Sequence, residues 1–273
     1  MPAKPIFIGM AKLPFSCILL GAFLAFASCD KIHLPDLKSS DDKSSHAADE
    51  KAAEPASHTP GAHWDYATTD AWPELCKTGQ VQSPIDIQRT IRVPLEELRF
   101  DYPRADFTVV NNGHTIQVQS PSGGGFASGD TRFELLQFHF HTRSEHLIKG
   151  KAQEMEVHFV HRDASGSLAV IGVLVKKGLV NAAFELILKN SPDKPGEKPG
   201  VLLSAGDLLP RNAKYFTYTG SLTTPACTEG LKWIVLKDPI DASEDQIARF
   251  RKLYAHNARP VQSVHHRAVL EAE

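Results

Sequence analysis

The stretch ELLQFHFHTRSEHL, Glu134–Leu147, sets three histidines within eight positions of an otherwise apolar run. Side chains at i and i+2 of a β-strand point to one face. Read as a strand, the stretch puts Gln137, His139 and His141 on one face, and Phe138 and Phe140 on the other, toward a core. Farther on, EMEVHFVH (Glu154–His161) repeats the pattern: Glu156 and His158 share a face and His161 falls on the opposite one. Antiparallel pairing of the two strands would set His158 across from the His139–His141 pair.

Such an arrangement has a chemical use. A catalytic zinc site takes three protein ligands and keeps a fourth position open for water. Three neutral imidazoles leave the cation its full double charge, which lowers the pKa of a bound water toward neutrality, whereas a carboxylate ligand would weaken that effect. A metal-bound imidazole also needs its other N–H fixed by an acceptor. Gln137 and Glu156 each lie two residues before a proposed ligand, on its own face. A lone H-x-H is as readily a pair of surface histidines; His158 and the two paired acceptors turn the reading to metal. An all-imidazole set suits zinc, while spacing alone does not separate it from copper or iron. A structural zinc site would need a fourth protein ligand, and none is evident.

Around these strands the chain reads as β-dominated. Its 273 residues, 42% of them hydrophobic, suffice for one large domain or two small ones, and a net charge of -2 gives no basic face for nucleic acid. Short β-rich runs recur as DFTVVNN, HTIQVQS, LAVIGVLVKK, YFTYTGS and LKWIVLK, several separated by Gly, Pro, Asn or Asp. Helical patterns cover Leu179–Lys189 and Ser243–Leu253, the latter with Ser243 as its N-cap. NSPDKPGEKPG, Asn190–Gly200, reads as a surface loop. With no internal repeat and no second linker after Ala62, one domain with short peripheral helices is expected.

The N-terminus reads as an export signal. In residues 1–29, Lys4 and Lys12 precede or open an apolar run from Leu13 to Ala27 that is short for a bilayer-spanning helix; an uncleaved anchor is the alternative. Two cleavage chemistries fit. Ala25-Phe26-Ala27 matches the A-x-A pattern, with cutting before Ser28. Phe26-Ala27-Ser28-Cys29 resembles a bacterial lipobox, with Phe26 where Leu is usual, and would leave Cys29 lipid-modified. Residues 30–61 are polar and low in aromatics, the composition of a disordered linker, and a tether behind a lipid anchor favours the second route. Either way the protein is exported to the periplasm or cell envelope, and the membrane is a partner only through Cys29. Signal removal leaves Cys76 and Cys227. In an oxidising compartment these form a disulfide or stay as two buried thiols; a bridge closing so long a loop contributes about 5 kcal/mol in the chain-entropy model.

Taken together, QSPIDI (Gln82–Ile87), NNGHTIQV (Asn111–Val118), QFHFH (Gln137–His141), SEH (Ser144–His146), EVHFVH (Glu156–His161), LAVIGV (Leu168–Val173) and GSLTTP (Gly220–Pro225) resemble the α-class carbonic anhydrases. HWDY (His63–Tyr66) and NARPVQ (Asn257–Gln262) fit the two ends, and the matches keep family order through a catalytic domain over residues 62–273. The resemblance implies a mostly β, single-domain fold with a large twisted, mostly antiparallel central sheet and short peripheral helices. It implies reversible hydration of carbon dioxide to bicarbonate and a proton, by attack of zinc-bound hydroxide with a histidine proton shuttle. His139, His141 and His158 match the zinc ligands. Thr223 matches the threonine that orients the hydroxide, Glu145 the carboxylate that receives that threonine's proton, and His114 the shuttle. Tyr66, Asn112 and Gln117 match the water network, with Gln117 replacing the asparagine of many relatives. Val160, Val170, Leu222 and Trp233 match the apolar wall for carbon dioxide, and Thr224 falls on the substrate side. His146 and His161 match buried structural histidines, and Cys76 and Cys227 the disulfide of exported members. The rivals are a related binding module that has lost catalysis, which would typically lack a ligand histidine, and a zinc-dependent esterase using the same hydroxide.

Overall fold

The computed structural model describes residues 64–273, which fall within one compact unit of the chain. The signal at 1–29, Cys29 and the linker at 30–61 lie outside the described residues. In chain order the strands are β1 (Asp86–Ile87), β2 (Ile91–Val93), β3 (Leu98–Asp101), β4 (Ala105–Asn111), β5 (Ile116–Gln119), β6 (Gly125–Ser128), β7 (Thr131–His141), β8 (Leu147–Ile148), β9 (Met155–Asp163), β10 (Leu168–Lys177), β11 (Gly196–Leu203), β12 (Tyr215–Ser221), β13 (Glu229–Leu236), β14 (Ile240–Ala242) and β15 (Leu270–Ala272). The helices are α1 (Glu74–Thr78), α2 (Ala182–Asn190) and α3 (Glu244–Leu253).

Thirteen strands join in one sheet ordered β11–β4–β5–β7–β9–β10–β13–β12–β15–β2, with β14 beside β10 and the β3–β6 pair against β7. Most neighbours are antiparallel; β10–β13, β10–β14 and β15–β2 run parallel. The fold is thus mostly β with a large, mostly antiparallel central sheet, as the sequence implied.

The sheet separates two apolar layers. Phe138 and Phe140 of β7, Val157 and Phe159 of β9 and Ile171 of β10 pack on one side with Phe184 of α2 and Phe250 of α3. Val160 of β9, Val170 of β10 and Trp233 of β13 lie on the other, the side that also carries the histidines. One irregularity sets this assignment. The β7–β9 register shifts between Leu135 and Gln137, so Leu136 is an extra residue on β7. Leu135 and Phe138, three apart, thereby both reach the first layer, while Leu136 packs against the second. A bulge re-aims side chains in this way; without it, strict alternation from Leu135 would turn the phenylalanines to the histidine side.

Helix α3 begins as its sequence indicates, with Ser243 and Gln246 forming a reciprocal capping box. Helix α2 starts at Ala182 rather than Leu179, because the Asn181 side chain accepts the Phe184 N–H and caps the helix there. Leu179 and Val180 stay exposed before it. The segment Asn190–Gly200 is not a loop throughout: Gly196–Gly200 open the edge strand β11, paired with β4. The register shifts between Lys198 and Val201, across Pro199 and Gly200, and Gly200 has φ +75°. An edge strand with a bulge tolerates the missing proline N–H and the left-handed glycine, which is why a loop-like composition pairs as a strand.

His161 sits in the first layer, its Nε2 2.7 Å from the Tyr102 hydroxyl and its ring edge-on to Phe126. Burial lowers its pKa from 6.5 to about 3. The unfolded chain therefore binds a proton at this group that the folded chain refuses between those values, and stability falls as pH drops through that window. At its limit the loss is on the order of 5 kcal/mol. Replacing the pair by His161→Phe with Tyr102→Phe is expected to flatten the acid arm of a denaturation series on metal-free protein between pH 6.5 and pH 3. An unchanged slope would remove His161 as its cause.

Candidate active site

The β7–β9 register sets His139 opposite His158 and His141 opposite Glu156. One ring nitrogen from each of His139, His141 and His158 lies within 4.8 Å of the others. The outward nitrogens are occupied. His139 Nδ1 donates to Gln137 Oε1 at 2.9 Å and His141 Nδ1 to the Asn257 carbonyl at 2.6 Å. Both partners only accept, so both Nδ1 atoms carry the hydrogen and both Nε2 atoms are bare. His141 Nε2 is buried without a hydrogen-bond partner, as a nitrogen aimed at a cation would be. Burial lowers the pKa of His141 to about 4 and holds those of His139 and His158 down as well, so all three are neutral and ligand-ready near pH 7. This donor set fits a tetrahedral divalent cation with one position left for water.

Glu156 holds the back of the site. His158 Nε2 lies 3.0 Å from its Oε1, and His146 gives it both a ring N–H at 2.7 Å and a backbone N–H at 2.8 Å. Burial alone would push this carboxyl up; His146 and His158 outweigh it and hold it well below the usual range. With His146 Nδ1 donating to Glu156, its Nε2 accepts from the Tyr218 hydroxyl at 2.7 Å, and Tyr218 in turn accepts from Ser83 Oγ at 2.8 Å. His146, Glu156 and His158 also bring ligating atoms within 4.8 Å of one another, but Glu156 already accepts from His146 Nδ1 and lies against His158 as an outer layer to that ligand. Gly172, opposite His158 on β10, leaves the room: a Cβ there would stand 2.7 Å from Glu156 Oε1 and 3.6 Å from Trp233.

Glu145 and Thr223 meet beside the histidines. Glu145 Oε1 accepts the Arg259 N–H at 2.7 Å and lies 3.5 Å from His141 Nδ1. Burial pushes the Glu145 carboxyl up to about 7, against the pull of His158, the Arg259 amide and the Thr223 hydroxyl. Thr223 is buried in the loop after β12, with Thr224 half-buried next to it. That loop is closed by Leu222 N–H to Thr228 O at 3.0 Å and Cys227 N–H to Thr224 O at 2.8 Å. Cys227 is bonded to Cys76. Arg259 ties the same region together: its guanidinium donates to the carbonyls of Cys76 (2.5 Å) and Ser83 (2.7 Å) and to Gln82 Oε1 (2.8 Å).

The apolar wall is assembled by cross-strand pairing. Val170 stands opposite Val160 on one side and Trp233 on the other, all three buried, and Leu222 packs on them. Gln117 pairs across from His139, on the ligand face. Tyr66 feels the Glu145 charge and contacts Trp64 edge-on. His114 is half-buried and stacks on Trp64 with ring centroids 3.8 Å apart. Asn112 is exposed, and its Oδ1 accepts the N–H groups of His114 and Thr115, both at 2.9 Å, so that atom serves the turn.

Four residues here have no role in the sequence reading: Asn257, Arg259, Tyr218 and Ser83. Asn257 and Arg259 lie in NARPVQ, Ser83 in QSPIDI and Tyr218 in YFTYTGS, but a carbonyl acceptor and a backbone amide donor leave no trace in side-chain chemistry. A buried arginine with three acceptors does, once its burial is known.

Comparison with known proteins identifies the family. The family model described as eukaryotic-type carbonic anhydrase matches residues 61–273. Carbonic anhydrases of Nostoc sp. and Neisseria gonorrhoeae are each 39% identical, over 77% and 79% of this chain and 82% and 90% of theirs. The α-carbonic anhydrase of Thermovibrio ammonificans, solved with the inhibitor sulfanilamide, superposes with a TM-score of 0.73 at 40% identity, over 77% of this chain and 99% of its own. The fold and site thus define a metal-dependent lyase of carbon dioxide and bicarbonate. The chain belongs to the α-class carbonic anhydrase family.

Gly172→Ala is expected to displace Glu156 from His146 and His158 and to weaken metal affinity by about 10- to 100-fold, a range that carbonic anhydrases themselves helped define for the loss of a ligand's hydrogen-bond partner. Competition with a chelator of known affinity reads this directly; unchanged affinity would show that Glu156 adapts without consequence.

Proposed function

We propose that this chain hydrates carbon dioxide reversibly, consuming one water and releasing bicarbonate and a proton, with zinc held by His139, His141 and His158. The observation that carries the reading is the convergence of three neutral imidazole nitrogens within 4.8 Å. When bound, the ion supplies a double positive charge that brings the pKa of water from 15.7 to around 7, a shift for which carbonic anhydrase is itself the reference case. A cation so close also favours the ionised form of Glu145 against its burial. The ionised carboxylate only accepts, so the Thr223 hydroxyl donates to it and presents its oxygen lone pair to the cavity, orienting the attacking oxygen. Val160, Val170, Leu222 and Trp233 offer carbon dioxide an apolar surface that does not compete for water, and Thr224 stands on the substrate side. Gln137 and Glu156 fix the ligand rings. His114 passes the released proton outward, with Tyr66, Asn112 and Gln117 lining the path.

Stopped-flow hydration tests the reading. A chelator should abolish activity and added zinc restore it; hydration that survives complete metal removal would end the proposal. Thr223→Ala should lower kcat/KM by about a hundred-fold, the scale of misorienting a reacting group. His114→Ala should slow turnover in weak buffer, with added imidazole restoring much of the rate; unchanged turnover would refute the shuttle.

The domain over residues 62–273 acts outside the cytoplasm in this reading, behind a signal at 1–29 and a linker at 30–61. The described Cys76–Cys227 disulfide supports an oxidising compartment. Among the described residues no helix is long and apolar enough to cross a membrane; in this reading attachment is through a lipid on Cys29. Mass spectrometry of the mature N-terminus should find an acylated Cys29; a chain beginning at unmodified Ser28 would show the lipid route to be wrong.

A further inference from the structure

Asn257 spends every polar group it has on two elements at once. Its backbone carbonyl accepts from the Nδ1–H of His141 at 2.6 Å. Its side-chain nitrogen donates to the carbonyl of His114 at 3.2 Å and to that of Phe140 at 2.9 Å. Its side-chain oxygen accepts the Thr142 N–H at 2.8 Å. The residue is 1% exposed, so none of these bonds competes with bulk water. Phe140 and Thr142 flank His141, so the side chain grips β7 and its end on either side of a metal ligand and, with the same amide group, the turn that carries His114.

That turn is otherwise held from below. Asn112 Oδ1 caps the N–H groups of His114 and Thr115, and Asn111 Oδ1 accepts from Gly113 N–H at 3.1 Å and from the Tyr254 hydroxyl at 2.5 Å. Thr115 Oγ1 donates to the Phe140 carbonyl at 2.5 Å. The Phe140 carbonyl is therefore shared by Thr115 and Asn257. Among these bonds, only the Asn257 amide joins the His114 carbonyl directly to the residue that holds His141. Proton transfer depends steeply on the placement of the accepting group.

We infer that Asn257 is a positioning residue for the proton-transfer step: its side-chain amide fixes the His114 turn relative to the His141 strand, while its backbone carbonyl separately orients the ligand. The inference rests on the shuttle role proposed for His114. Substitution of the side chain leaves the carbonyl in place, so the two duties separate in experiment.

The test uses Asn257→Ala, which deletes the side chain, and Asn257→Asp, which keeps the acceptor for Thr142 but sets a carboxylate oxygen where the two donations were made; if one does not fold, the other reads the same contacts. Each is expected to lower kcat in weak buffer by about ten-fold, the scale of displacing a reacting group by a fraction of an ångström. Imidazole should restore it, and kcat/KM for carbon dioxide should fall far less. In metal-free protein, hydrogen exchange at the His114 and Thr115 amides should quicken while β7 stays protected. If His114→Ala itself leaves weak-buffer turnover unchanged, the shuttle reading fails and takes this inference with it. If His114→Ala is slow but the Asn257 variants match the parent in turnover and exchange, the inference alone is overturned. A parallel loss of kcat and kcat/KM without imidazole rescue would make Asn257 a structural support of the metal site only.

Discussion

The pairing of β7 with β9, which sets His139 across from His158, is the constraint on which the site depends. Cross-strand neighbours stand a fixed distance apart, so register alone brings a third imidazole to a pair already on one face. Shifting β9 by one residue would send His158 into the phenylalanine layer and His161 to the ligand side, because side chains alternate. Val157 and Phe159 of β9 resist that shift: they are buried on the opposite side with Phe138 and Phe140 of β7, and a slip would turn both of them out of that layer. The apolar layer thus specifies the metal geometry from behind.

Polar groups then complete what the register begins. Each imidazole has a partner that decides which nitrogen faces inward: an amide oxygen for His139, a backbone carbonyl for His141, a carboxylate for His158. The partners come from distant parts of the chain, and those parts are bound to one another. Arg259 gives its amide to Glu145 and its guanidinium to the carbonyl of Cys76, while Cys76 is bonded to Cys227 in the Thr223 loop. Both members of the Thr223–Glu145 pair are therefore anchored to the same segment, Cys76 to Ser83. Fixing these positions before substrate arrives spares the reaction that ordering.

Much of this was legible in the sequence because it follows from a period of two. The shared face of Gln137, His139 and His141 and that of Glu156 and His158 needed only alternation. What alternation misses is where it breaks. The bulge at Leu136 is silent in ELLQFHFH, since either leucine could be the core residue, and only the partner strand decides. The edge strand β11 hid behind Pro199 and Gly200, whose composition signals a loop but whose place at a sheet edge tolerates both. Roles carried by backbone atoms, the carbonyl of Asn257 and the amide of Arg259, were invisible for a simpler reason: every residue has them. The family resemblance of NARPVQ located those residues without explaining them.

The central claim is that three uncharged imidazoles hold one zinc ion and leave its fourth corner to water. Zinc-edge X-ray absorption on the purified protein tests it most directly. The account predicts three imidazole nitrogens at about 2.0–2.1 Å and one light-atom ligand not contributed by the protein. A fourth protein ligand, or a first shell with only two imidazoles, would contradict it.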